Sequence, residues 1–168
     1  MYDGARFSEG KQLTTVDLFR RAHDEIGLQP STVFWFGETD GPTDGERYSN
    51  GFFVAVFDTP PDITGTDVWD IPDAQIEQVV AEVNRALPEC HVEAPVRVRL
   101  GGLKGYFTTF TLALDGQQYR GWWVMAVGDI HTYEIVAQTR TQDWDDLRPA
   151  LAQVFWTFRP DAKADVSL

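Results

Sequence analysis

Apolar residues recur along this chain in two rhythms, one helical and one extended. In "TTVDLFRRAHDEIGL" (14–28), Val16, Phe19, Ala22 or His23, and Ile26 fall three or four apart. Thr14 is placed to cap that helix, Asp17 follows three residues on, and Gly27 stops it. "IPDAQIEQVVAEVNRALP" (71–88) repeats the rhythm, with Ile76, Val79, Val80, Val83 and Leu87 in one stripe between Pro72 and Pro88. "TQDWDDLRPALAQVFWTFRP" (141–160) carries it most strongly, at Trp144, Leu147, Leu151, Val154, Phe155 and Phe158. Pro149 stands early enough in it to be tolerated. Three helices are expected.

The extended rhythm begins at "STVFWFG" (31–37) and "FFVAVFD" (52–58), both β-branched and aromatic, the second apolar enough to be covered on both faces. The polar stretches at 38–51 and 59–70 read as loops. "PVRVRL" (95–100) sets Val96, Val98 and Leu100 against Arg97 and Arg99, and "LGGLKG" (100–105) reads as a hairpin loop. Two further hairpin turns are expected at Asp115-Gly116 (type I′) and Gly128-Asp129 (type II′), making residues 104–139 a three-stranded meander. Two-residue turns set the register. Leu114 faces Gln117, so Phe110 lies opposite Gly121 and Phe107 opposite Val124. Val127 faces Ile130, so Val124 lies opposite Tyr133 and Trp122 opposite Ile135. Opposed residues share a face. One face then collects Phe107, Trp122, Val124, Tyr133 and Ile135. The other collects Tyr106, Phe110, Leu112, Trp123, Met125 and Val136. Both are apolar, so both need a cover.

The expected fold is therefore α+β: an αβα sandwich with a central, mostly antiparallel sheet, ending in the three-stranded meander and an amphipathic helix. Residues 1–160 read as a single domain and 161–168 as a frayed tail. The chain of 168 residues is long enough for a core of its own, and 43% hydrophobic against 24% charged residues is a globular profile. The longest apolar run, "GWWVMAVG", is far short of the about 20 residues that span a bilayer. The start, "MYDGARFSEGK", has no charged segment leading into an apolar run, so no signal peptide is expected. The single cysteine, Cys90, suits a reducing compartment. A cytoplasmic location is the expectation, with export by a signal or anchor absent from this chain as the alternative. A net charge of −12 repels phosphate backbones and argues against nucleic acid.

The last 55 or so residues carry a recognisable pattern: "GYFTTFTL", a Gly-Trp-rich strand, "TYEIVAQT", then "DWDDLRPALAQVFWTFRP", a Trp-bearing helix closing on Phe-Arg. This resembles the C-terminal half of the PsbP-like fold superfamily, which includes PsbP subunits, LpqN-type lipoproteins and DcrB-like proteins. The resemblance implies an αβα sandwich around an antiparallel sheet. It also implies a binding or assembly role rather than catalysis. The N-terminal part departs from it, with a polar start and a helix where those families open on a strand.

Candidate chemistry is sparse. "PECHVE" (88–93) sets Cys90 beside His91, but neighbours on an extended chain point apart, and a zinc site wants about four ligands. It reads as a helix-to-strand loop. "GETDGPTDGE" (37–46) is oxygen-rich, yet Pro42 occupies a ligand step for calcium, so it reads as a solvated loop. His131 and Glu134 fall on opposite faces, which disfavours an acid–base pair. No catalytic residue, metal or cofactor is expected. The binding residues expected are Arg97, Arg99, Arg120, Trp122, His131 and Tyr133. The cations suit an acidic partner or an anion, and the rings an apolar one. Salt bridges, core packing and a solvated histidine are their ordinary alternatives. The function expected is a non-catalytic binding or assembly module for a protein partner, with an exposed apolar patch of about several hundred Å². The alternative is a carrier of a small apolar ligand, in a cavity between sheet and helix lined by Trp122, Trp123 and their neighbours. A hydrolase would need His91 or His131 bonded to a carboxylate and facing a nucleophile.

Overall fold

The computed structural model of the protein describes residues 23–24, 29–40, 47–114 and 116–160, those at 32–40 and 47–49 in their backbone alone. Seven strands form one antiparallel sheet: β1 Thr32–Asp40, β2 Arg47–Asp58, β3 Cys90–Val92, β4 Val96–Leu100, β5 Leu103–Leu114, β6 Gln117–Val127 and β7 His131–Arg140. Their order is β1-β2-β7-β6-β5, and β3 and β4 share the outer edge of β5, at 110–112 and 103–107. The sheet is thus closed in the middle by β2 against β7, which joins the early and late parts of the chain. Two long helices follow the expected stripes: α1 Asp73–Ala86 and α2 Trp144–Trp156. Acidic residues occupy the first turn of each, where the helix dipole favours them.

The two faces hold two cores. Phe53, Ala55, Phe57, Phe110, Leu112 and Val136 pack with Val83 of α1 and with Leu87 just past its end. Phe52, Val124, Ala126, Tyr133 and Ile135 pack with Phe155 of α2. Strand β7 lies between them, buried from Thr132 to Thr139, as a strand covered on both faces must be. The division of side chains between faces is the expected one, Trp122 facing α2 and Trp123 facing α1.

The first hairpin has the expected register, Leu114 opposite Gln117 and Phe110 opposite Gly121, with Gly116 at φ 77° in the turn. The β4–β5 turn is as tight, Gly101 and Gly102 at φ 62° and 92° between paired Leu100 and Leu103. The second hairpin differs. Val127 pairs with Thr132, Val124 with Ile135 and Trp122 with Ala137, a slip of two residues from expectation. Gly128 is not among the glycines at positive φ, so the type II′ turn does not form. Residues 128–130 link the strands instead, with Gly128 N–H donating to the carbonyl of His131, the first residue of β7, at 2.9 Å. A slip of two preserves the faces, because side chains alternate with period two.

Other differences are local. The loop expected at 38–51 is shorter, since β1 runs to Asp40 and β2 starts at Arg47, with an irregularity at Glu38/Thr39. "PECHVE" contributes the short strand β3, with Cys90 and Val92 buried and His91 exposed. Val154 is 56% exposed although it was counted in the α2 stripe. The helix expected at 14–28 is described only at His23 and Asp24, which are helical. The calcium question at 38–46 and the tail at 161–168 lie outside the residues described in full.

Candidate functional site

A cavity of about 280 Å³ lies between α1 and the sheet. The sheet supplies its floor with Phe57, Tyr106, Trp123, Met125 and Val127. The roof is α1, through Ile76, Val79, Val80 and Val83, the stripe read from the sequence. One side is closed by the segment 59–72, through Pro60, Ile63, Val68 and Ile71. That segment has no regular periodicity, but it is pinned at both ends. Near its start, Thr59 N–H donates to the Ile130 carbonyl at 2.8 Å and its hydroxyl to the Gly128 carbonyl at 2.8 Å. Near its end, Trp69 Nε1 donates to the Gly105 carbonyl at 3.1 Å. The Trp69 ring lies 4.9 Å from both the Arg99 guanidinium and the Lys104 ammonium. Lys104 also pairs with Asp67. Lys104 first, and then the Trp69 N–H, hold the Asp67 carboxyl below the usual carboxylate range.

The hydroxyls of the wall are turned to partners of their own. Tyr106 donates its hydroxyl proton to the Val68 carbonyl at 3.0 Å. Thr108 donates to the Glu93 carbonyl at 2.7 Å. Thr132 and Thr59 hydroxyls meet at 3.1 Å; Thr59 spends its proton on Gly128, so Thr132 is the donor. What remains facing the space is apolar.

The six residues singled out from the sequence do not converge. Arg97 and Arg99 stand opposite Tyr106 and Lys104, on the α1 side of the sheet. Arg97 pairs with Asp73 at 2.7 Å and donates to the Trp69 carbonyl at 3.3 Å, bracing the end of 59–72. The others lie on the α2 side. Arg120 sits 5.4 Å over the Trp144 ring. Trp122 packs against Trp144 and Phe155 at 5.2 and 5.8 Å, and Tyr133 meets the edge of Phe158 at 5.5 Å. Both belong to the α2 core. His131 is 3.6 Å from Asp58, too long for a hydrogen bond, and exposed His91 is 3.5 Å from Glu93. Of the two tryptophans expected to line a cavity, Trp123 does and Trp122 does not.

Sequence reasoning missed one polar pair. Glu134 points to the α1 side and its Oε2 lies 2.6 Å from His23 Nε2, with the two residues 0% and 3% exposed. The His23 ring meets Phe57, a cavity residue, edge-on at 5.0 Å. Partners 111 residues apart leave no local signal in the chain.

Cys90 is inert in this setting. Burial, reinforced by the charge of Glu89, pushes its thiol up from 9.0 to about 12. A thiol with a folded pKa above its unfolded one holds its proton more tightly when folded. That contribution to stability is complete below 9.0 and lost as pH rises toward 12. Denaturant titrations from about pH 8 to ~10.5 should therefore show a falling midpoint, and Cys90→Ala should flatten that fall. Among the described residues no group of three His, Cys, Asp or Glu is placed to hold a metal ion, and no helix is long and apolar enough to cross a membrane.

No family model matches the chain, and no curated protein does. Solved structures do. A Pseudomonas aeruginosa protein of unknown function, PA94, described as a candidate regulator, is similar with TM-score 0.54 and 16% identity over 79% of this chain and 85% of that one. Cyanobacterial PsbP from Synechocystis sp. PCC 6803 is similar with TM-score 0.48 and 11% identity, over 75% and 80%. LpqN of Mycobacterium tuberculosis, described as involved in cell envelope biogenesis, is similar with TM-score 0.42 and 13% identity, over 89% and 97%. At 16% identity, the likeness to the Pseudomonas aeruginosa protein is one of fold alone.

Proposed function

We propose that the protein is a non-catalytic binding module that holds a small apolar ligand between α1 and the sheet. The observation that carries this is the cavity of about 280 Å³ with its apolar wall. It approaches the size of ligand pockets, about 300 Å³ upward, and it combines aromatic and aliphatic surface as they do. A protein partner is less favoured. The large apolar residues left exposed among those described are Val79, Val96, Ile130, Val154 and Trp156, spread over α1, β4, the β6–β7 link and α2. The buried thiol of Cys90 and the exposure of His91 favour binding over catalysis.

Titration with toluene, followed by the NMR methyl signals of Met125 and Val80, tests the proposal. Saturable shifts at these methyls are expected, together with a change in Trp123 fluorescence. Val80→Trp, which fills the space from the roof, should abolish them while leaving the far-UV spectrum intact. Shifts absent from the native chain, or unchanged in the folded variant, would refute the proposal.

A further inference from the structure

The wall of the cavity also restricts what kind of apolar molecule can enter. We infer that the site selects neutral hydrocarbon-like molecules and rejects those with an ionised head; this rests on the apolar-ligand reading above.

The selectivity follows from two observations. First, the hydroxyls of Tyr106, Thr108 and Thr132 each donate their single proton to a protein oxygen, at 3.0, 2.7 and 3.1 Å. None is left to donate to a carboxylate or an alcohol oxygen in the cavity. A carboxylate brought inside loses its water without gaining a hydroxyl donor, a substantial cost even before charge is counted. Second, cations near the wall are already engaged. Arg97, opposite Tyr106, pairs with Asp73 at 2.7 Å. Lys104, opposite Val127, pairs with Asp67 and faces Trp69. An acid seeking Arg97 or Lys104 must displace a carboxylate that is already there, and one seeking Arg99 must draw it off the Trp69 ring. An ammonium must take Asp67 or Asp73 from its present partner. Neither charge finds a ready counter-ion, so the uncharged molecule is favoured.

A set of probes sharing one ring system separates the possibilities. Naphthalene, 2-naphthol, 2-naphthoate and 2-naphthylmethylammonium are titrated against the whole chain, native and Val80→Trp. Binding is read from Trp123 fluorescence and the Met125 methyl signal. Naphthalene is expected to bind to the native chain and not to the variant, with both ions at least about tenfold weaker and the naphthol between. Either ion binding as tightly as naphthalene would overturn the selectivity while leaving the apolar-ligand proposal standing. If no probe binds to the native chain, or if naphthalene binds equally to the variant, both are overturned.

Discussion

Replacing Glu134 by alanine is expected to cost about 3–5 kcal/mol of folding stability, and replacing His23 by alanine nearly as much. The two side chains meet at 2.6 Å in a setting 0% and 3% exposed. Removing either partner leaves a buried polar group with nothing to satisfy it, and that loss exceeds what the contact itself contributes. Glu134 Oε1 already has no hydrogen-bond partner among the described residues, so the carboxylate depends heavily on His23. Urea unfolding should show the loss as a lower midpoint with little change in slope. A thermal midpoint falling by about 10 °C is the matching calorimetric result. The double replacement His23→Leu with Glu134→Met should recover most of the loss, because a packed apolar pair of similar volume needs no partner. Single variants losing less than about 1 kcal/mol would mean that the pair does not tie residue 23 to the sheet.

Phe155→Ala should cost a comparable amount, about 3–5 kcal/mol, through a different cause. Phe155 is 0% exposed and its ring meets those of Phe52, Phe107 and Trp122 at 5.9, 6.2 and 5.8 Å. It is the fully buried ring of α2 and holds that helix on three strands. Removing it leaves a space that rigid neighbouring rings cannot collapse to fill. Phe155→Leu keeps most of the volume and should cost about 1.5 kcal/mol or less. Equal losses from the two variants would mean that ring packing is not what matters. Because α2 covers the face opposite the cavity, neither variant should alter ligand selectivity at temperatures where it remains folded.

The parts of this architecture that could be read from the chain are those with a period. The two long helices announced themselves by three- and four-residue spacing, and the β5–β6 register by a two-residue turn at Asp115-Gly116. The β6–β7 register did not, because Gly128-Asp129 looks like a tight turn but sits in a longer link. The roof and floor of the cavity lay in those periodic elements, and Trp123 was named for it. Its side wall was hidden, since Ile63, Val68 and Ile71 are spaced irregularly in a stretch of Pro, Gly, Thr and Asp. The contacts of Arg97 and Arg99 were hidden for a related reason. Their partners, Asp73 and Trp69, come from a segment whose path no local pattern reveals. The His23–Glu134 pair is the extreme case, a contact made only once the sheet exists.

The short link between β6 and β7 carries a lesson about descent. Adding or removing two residues at that tip slides β7 along its neighbours yet leaves every side chain in its own layer. Losing a single residue would turn the strand over, sending Ile135 toward α1 and the Glu134 carboxylate beneath Phe155. Lineages sharing this fold should therefore differ in the length of that tip by even numbers, and an odd change should survive only where a bulge absorbs it.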